Sequence, residues 1–324
     1  MIDERSIVNA IAGLMATGGS TNHALHIPAM AAAAGIIISL DDLADISAVV
    51  PLLTRIYPNG PADVNHFHAA GGMGFIIREL VSAGLMHGDA LGVCGTIEEQ
   101  AREPWLDDGK LAYRAPPEKS GNTDIIRPAS DPFSKDGGLR MLEGPLGRGI
   151  CKISAIKPEH RFVEAPALVF DSQHDMKAAF EAGKLNRDFV AVVRFQGPAA
   201  NGMPELHALT PVLGALQDKG HQVALVTDGR MSGASGKVPS AIHIAPEAAR
   251  GGPIACVRNG DIITLDADKG VLEVDSDLTG RTPDEFRPNA PQMGLGREMF
   301  SAFRTNASDA ELGANIFDYK GALA

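Results

Sequence analysis

Near residue 139 the spacing of apolar residues changes, and no fold built from one kind of element accommodates both halves of the chain. Upstream, Ile7, Ile11, Leu14 and Met15 recur at helical spacing, with Asp3 or Ser6 positioned to cap the segment and Gly18-Gly19 to end it. A second helical segment, capped by Ser20 or Thr21, runs through Leu25, Met30 and an alanine run to Gly35, and Pro28 is expected to kink or split it. A third covers 73–81 and stops at Gly84. Downstream, short β-rich runs at 167–170, 189–194, 223–227, 254–257, 262–265 and 271–274 lie between turns, with hairpin turns expected at Asn259-Gly260 and Asp268-Lys269-Gly270. Many short strands at close spacing argue for a barrel or a sandwich with a few helices between them. Between the two textures, 103–138 carries Pro104, Pro116, Pro117, Pro128 and Pro132 and reads as an irregular linker. The upstream third is mostly α, with few strands of its own, and reads as the tail of an α/β domain.

Composition narrows the possibilities. With 324 residues, 44% of them hydrophobic, the chain can bury a sizeable core and form two domains. Aromatics make up only 5%, so small apolar residues must do much of the packing. A net charge of -11 argues against non-specific nucleic-acid binding and gives no support for an anionic membrane surface, although a local Arg/Lys cluster can still hold an anionic substrate. No stretch reaches 18 uninterrupted apolar residues, and the Met-Ile-Asp-Glu-Arg start is not a signal peptide, so a cytoplasmic protein is expected. Cys94, Cys151 and Cys256 are far apart and read as three reduced thiols. His66, His68, His174 and His207 read as surface or hydrogen-bonded histidines.

Three segments have the composition of ligand-binding loops. In Thr17-Gly18-Gly19-Ser20-Thr21-Asn22-His23, small residues admit a ligand to the backbone, and hydroxyls and free N–H groups can bind an anion; a capped joint between helices would look the same. The second, Gln196 to Glu205, is a Gly- and Pro-rich loop just beyond a strand. Its Glu205 is a hard oxygen ligand suited to Mg²⁺, or an ordinary acid in the first turn of a helix. The third, Thr227 to Lys237, follows an apolar strand and holds Arg230, Ser232, Ser235 and Lys237. Arg230 and Lys237 suit a carboxylate or phosphate, or are solvated charges. Ser232 lies between Met231 and Gly233 as in a nucleophile turn, but the GxSxG pattern and a recognisable triad spacing are absent, so a serine hydrolase is weakly supported.

Taken together and in this order, the three segments resemble the dihydroxy-acid and phosphogluconate dehydratases, and the likeness extends along nearly the whole chain. The stretches Tyr57-Pro58-Asn59-Gly60-Pro61-Ala62-Asp63-Val64-Asn65-His66-Phe67, Ser172-Gln173-His174-Asp175 and Ser232-Gly233-Ala234-Ser235-Gly236-Lys237-Val238-Pro239 are similar to the phosphogluconate branch. The resemblance implies a hydro-lyase that removes a proton at C2 and hydroxide at C3 of a 2,3-dihydroxy acid, here a sugar-acid phosphate, leaving a 2-keto-3-deoxy acid. It implies Mg²⁺ ligated by Glu205, an Fe–S cluster of the [4Fe–4S] type ahead of [2Fe–2S], Ser232 as the base, and Ser235 as a hydroxyl that contacts substrate. Substrate or phosphate contacts then fall to Thr17, Gly18, Gly19, Ser20, Thr21, Asn22, Arg230 and Lys237. It also implies an α/β-plus-β-barrel architecture, with 1–134 the later part of the α/β domain and linker and 135–324 the barrel, the site between them, and a homodimer at full length. None of the family's cluster-cysteine motifs is present, so the chain is expected to be a fragment that is inactive alone. A sister dehydratase for other dihydroxy or sugar acids, and a catalytically dead folding or dimerisation fragment, are the alternatives.

Overall fold

The computed structural model of the chain describes residues 2–57, 59–231, 236–286, 294 and 296–317. The upstream third is helical: α1 (Glu4–Thr17), α2 (His23–Ala33), α3 (Leu40–Val49), α4 (Val64–Ala69) and α5 (Gly72–Ser82). Asp3 and Ser6 act together at the start of α1 as a reciprocal capping box. Gly18, at φ +57°, ends that helix in the left-handed region. α2 departs from expectation twice. Neither Ser20 nor Thr21 is its N-cap; Asn22 occupies that position without a side-chain cap bond. The helix also runs unbroken through Pro28, because its buried Ala24, Leu25, Ile27 and Ala31 hold it across the bond that proline cannot donate.

After a two-residue pair, β1 (Leu91–Gly92) with β2 (Gly95–Thr96), and the short α6 (Ile97–Gln100), the expected irregular linker begins with an ordered hairpin. β3 (Glu103–Asp107) pairs with β4 (Lys110–Arg114) across Asp108-Gly109. Both turn residues have positive φ, +47° and +75°, the geometry that matches the twist of a two-residue hairpin, and Pro104 is accommodated in this two-stranded ribbon. The rest of the linker is irregular apart from single bridges that tie Ser134 to Leu52 and Ile126 to Thr54.

The downstream part contains a closed eight-stranded barrel. Its strands are β5 (Leu139–Gly144), β6 (Gly147–Lys152), β7 (Phe162–Phe170), β8 (Phe189–Val193), β9 (Val223–Thr227), β10 (Ser240–Ala245), β11 (Ile262–Asp266) and β12 (Val271–Val274). The order around the barrel is β10-β6-β5-β12-β11-β7-β8-β9. One arc, β7-β8-β9-β10, is parallel; the remaining pairs are antiparallel except for β12 beside β5. Helices α7 (Gln173–Glu181) and α9 (Leu209–Asp218) make the crossovers of the parallel arc, with the short α8 (Pro198–Asn201) before α9. A last helix, α10 (Ser301–Asn306), lies near the C-terminus. The strand expected at 254–257 is instead a 3₁₀ turn, Pro253–Cys256, opened by a proline that pre-sets the helical φ. Asn259-Gly260 is accordingly not a hairpin turn, whereas 268–270 does join β11 to β12.

Successive residues of β8 and β9 alternate between two buried clusters. Val190, Val192, Ala224 and Val226 face a cluster inside the barrel with Ala165, Ala167, Ala241, Ile263, Leu265 and Leu272. Phe189, Ala191, Val193, Val223 and Leu225 belong to a second cluster, which continues into α1, α2, α3 and α5 through Ile11, Met15, Ile27, Leu43 and Ile76. The helices therefore share their core with one outer face of the barrel. Every residue of β8, β9 and β10 is buried, as parallel strands covered on both faces require. The alanines of the interior are how a chain poor in aromatics fills a narrow barrel.

The barrel closes most tightly beside β12, where a Cβ on Gly144 would stand 1.8 Å from the backbone oxygen of Leu272. Gly144→Ala must push these strands apart at a seam with a single registered pair, Val271 with Glu143. A loss of about 1–3 kcal/mol in urea unfolding is expected, the usual penalty of overpacking; an unchanged midpoint would show that the seam does not hold the barrel closed.

Candidate active site

Four parallel strands end on the same side, and the loops that leave the carboxyl ends of such strands are where α/β sheets bind ligands. One side chain gathers three of those ends. Asp228, fully buried just after β9, accepts hydrogen bonds from the backbone N–H groups of Phe195 (3.1 Å) and Gln196 (2.9 Å) beyond β8, and of Ala248 (3.0 Å) beyond β10. Burial pushes its carboxyl up to about 7, against the pull of those three N–H groups. Glu247, also buried, accepts from Ala199 (2.7 Å) and Ala200 (3.1 Å) at the start of α8, and burial raises its pKa. The 195–208 and 228–231 loops are thus fixed from beneath by two carboxylates.

On top of this base the three sequence segments meet. Glu205 and Arg230 form a parallel β-bridge, and their side chains pair at 2.5 Å, each about a quarter exposed. Arg230 Nε donates to the Met203 carbonyl (2.6 Å) and Nη1 to Asn22 Oδ1 (3.2 Å), while Asn22 Nδ2 reaches Glu205 Oε2 (3.4 Å). The Thr21 hydroxyl donates to the Met231 carbonyl. Glu205 is backed by Gln173, which donates to its carbonyl (3.3 Å) and accepts from Ala208 N–H (3.1 Å).

The 17–22 segment is itself clamped. Lys152, at the end of β6 and only 9% exposed, donates to the carbonyls of Gly18 (2.5 Å) and Gly19 (3.0 Å). Asn59 donates to Gly18 O (2.8 Å) and accepts from Ser154 (2.9 Å), and Thr54 donates to Thr17 O (2.8 Å). The Thr17 hydroxyl turns back to Gly13 O (2.7 Å). Burial lowers the Lys152 ammonium to about 8.

His243 is a feature of the site that sequence patterns do not reveal. It sits in β10 where the register with β6 slips, at φ +60°, and is 1% exposed. Its backbone N–H donates to Gly229 O (3.0 Å), but neither ring nitrogen has a hydrogen-bond partner. Burial, then the positive charge of Arg230, pushes the ring down to about 3, so the imidazole is neutral at any physiological pH. Bulged, strained residues of this kind cluster at functional sites.

Of the sequence-predicted residues, Thr21, Asn22, Glu205 and Arg230 come together, with Thr17, Gly18, Gly19 and Ser20 adjoining them. Ser232 and Ser235 lie outside the described residues. Lys237 is exposed, its carbonyl accepting from Gln217 on α9 (3.2 Å), and no described contact brings it to the cluster. His66, His68, His174 and His207 are exposed. The Glu205 carboxylate, approached by the amide nitrogen of Asn22, fits one position in the oxygen shell of a divalent cation; among the described residues no group of three potential metal ligands occurs. The cysteines do not fit an Fe–S cluster: Cys94 is exposed, Cys151 is inside the barrel with its thiol pushed up to about 11 by burial, and Cys256 is buried in the 3₁₀ turn.

Sequence comparison identifies two parts of one family in the chain. Residues 1–100 match the model of the dihydroxy-acid/6-phosphogluconate dehydratase N-terminal region, and residues 124–314 match that of the C-terminal region. The chain is 55% identical over 321 residues to the phosphogluconate dehydratase of Pseudomonas aeruginosa, covering 98% of this chain and 53% of that protein. It is 55% identical over 326 residues to that of Zymomonas mobilis, with 99% and 53% covered. Identity to the dihydroxy-acid dehydratase of Koribacter versatilis is 37% over 319 residues, with 97% and 52% covered. The chain therefore spans about half the length of the curated relatives it matches.

The clamp on Gly18 and Gly19 carries a pH signature. In the unfolded chain Lys152 titrates near its ordinary 10.5, so between pH 8 and 10.5 the unfolded state binds the extra proton and stability gains with rising pH. Relative to Lys152→Met, the native chain should gain roughly 3 kcal/mol across that window. Urea unfolding of both at pH 7.5 and pH 10 measures this, and a constant difference between them would refute the assignment.

Proposed function

The chain belongs to the dihydroxy-acid/6-phosphogluconate dehydratase family, and on that premise we propose that it is part of a hydro-lyase converting 6-phospho-D-gluconate to 2-dehydro-3-deoxy-6-phosphogluconate and water. The observation that carries the proposal is the Asn22–Glu205–Arg230 cluster, in which the three family segments meet at the carboxyl ends of the parallel strands. The higher identity to phosphogluconate dehydratases, 55% against 37%, favours the phosphorylated sugar acid over a branched-chain dihydroxy acid.

In this reading Glu205 supplies one oxygen ligand to Mg²⁺, which when bound would neutralise charge building on the substrate carboxylate as the C2 proton leaves. Arg230, held by Met203 O and Asn22, presents its guanidinium to the same carboxylate. The 17–22 backbone, fixed by Lys152, Asn59 and Thr54, forms the opposite wall. Ser232 is proposed as the base that takes the C2 proton, a role that needs positive charge beside its hydroxyl to activate it, and Ser235 as a substrate contact. The Fe–S cluster of the family, [4Fe–4S] ahead of [2Fe–2S], is proposed to take its ligands from outside this chain. We further propose that 1–134 completes an α/β domain whose remainder lies outside this chain, with 135–324 as the barrel domain. The whole enzyme is taken to be a cytoplasmic homodimer.

The test is anaerobic dehydration of 6-phosphogluconate after Fe–S and Mg²⁺ reconstitution, following 2-keto acid formation, with this chain alone and mixed with a separately expressed N-terminal half of a relative. Activity is expected in the mixture only, abolished by Ser232→Ala and lowered roughly 10²- to 10³-fold by Glu205→Gln, the usual loss on removing one electrostatic group from a transition state. A folded mixture that stays silent would count against the proposal. Activity from the chain alone would overturn the placement of the cluster ligands.

A further inference from the structure

Beside the Glu205–Arg230 pair opens a cavity of about 600 Å³, a volume typical of small-molecule sites. α2, the turn after α8 and the C-terminal segment enclose it. Among the described residues its charged and titratable lining is entirely basic or neutral: Arg230, Arg297, Arg304 and His26, with Phe300 and Phe303, and no carboxylate. In a chain of net charge -11 such a concentration of guanidinium groups is not a by-product of composition.

The arginines are also held where they are. The C-terminal segment docks through Ala310 onto Leu25 and Met203, and Arg250 donates to the carbonyl of Ala307. Arg148 pairs with Glu311 at 3.0 Å. Arg304 Nη2 donates to the Arg297 carbonyl (3.0 Å), which ties the two together. Neither Arg297 nor Arg304 has a carboxylate partner among the described residues, and Arg297 Nε is buried without a hydrogen-bond acceptor. Like charges confined in a half-enclosed cavity repel, and unmatched buried donors cost free energy. An anion with several acceptor oxygens removes both penalties, and a phosphate matches the guanidinium fork.

We propose that this cavity is the phosphate subsite, with Arg297 and Arg304 as the ligands that distinguish a sugar-acid phosphate from the unphosphorylated acid. The inference rests on the dehydratase reading and extends it. Arg230 stands at the junction, between the carboxylate end at Glu205 and the phosphate end in the cavity. Lys237, the other basic residue of the loop, has no part in it.

Binding, not turnover, tests the subsite. Isothermal titration of this chain with 6-phosphogluconate, gluconate and inorganic phosphate should give tighter binding of the phosphorylated acid than of gluconate, and measurable binding of phosphate alone. Arg297→Ala and Arg304→Ala should each weaken 6-phosphogluconate roughly 10- to 100-fold, the worth of a charge-assisted hydrogen bond, and leave gluconate nearly unchanged. Arg304→Lys should retain part of the affinity, and thermal melting of each variant checks that it folds. Equal affinity of the native chain for the two sugar acids, no binding of either, or arginine variants that bind 6-phosphogluconate as the native chain does, would each overturn the subsite. Arginine-dependent binding with no dehydration in the reconstituted mixture would leave the subsite standing and remove the reaction. Dehydration without arginine dependence would do the reverse.

Discussion

The candidate site depends on one buried carboxylate. Asp228 stands at the end of β9 and accepts from backbone groups that follow β8 and β10, so three parallel strands are tied at their carboxyl ends by a single side chain. Without it the N–H groups of Phe195, Gln196 and Ala248 would be buried and unpaired, and each such group is costly. The loops bearing Glu205 and Arg230 leave from this knot. Their own bridge, and the contacts to Asn22, are possible only because both loops start from fixed points. The cost of burying the carboxylate, visible in its raised pKa, is the energetic counterpart of that order.

The barrel divides the labour between its two arcs. The antiparallel strands β5, β6, β11 and β12 form hairpins and close the sheet, and closure removes exposed edges. The parallel arc, covered by α7 and α9 and by the N-terminal helices, carries the site. Lys152 links the arcs, since it ends β6 on the antiparallel side yet clamps the 18–19 carbonyls beside the parallel ends.

The sequence made some of this legible and hid the rest for physical reasons. Helices α1 and α5 were readable because apolar spacing and a following glycine agree in both, and in α1 a capping residue agrees as well. β9 and β12 were readable as apolar runs bounded by turns. β5, β6 and β10 were not: Leu139–Gly144 and Gly147–Lys152 mix arginine, glutamate and glycine with apolar residues, and Ser240–Ala245 contains a buried histidine. Their identity as strands comes from pairing partners, which local pattern does not record. The 254–257 run looked like a strand because buried apolar residues carry no label of their backbone. In the candidate site, the loops bearing Glu205, Arg230 and Asn22 stood out by composition and by resemblance, and the structure brings these three side chains together. Lys152, Asp228 and His243 did not stand out because their contacts depend on burial, and Arg297 and Arg304 because a distant segment carries them to the cavity.

The bonds that assemble the site span very long stretches of chain. Thr21 reaches Met231 across 210 residues, Arg230 reaches Asn22 across 208, Asn22 reaches Glu205 across 183 and Lys152 reaches Gly18 across 134. Closing loops of this size is entropically expensive, and topologies rich in such contacts fold slowly. The hairpins and helices can form from near neighbours, whereas the cluster exists only once the first turn of α2 has met the far side of the barrel. The cluster is therefore a property of the assembled chain and of no local part of it: neither the N-terminal helices nor the barrel holds it separately.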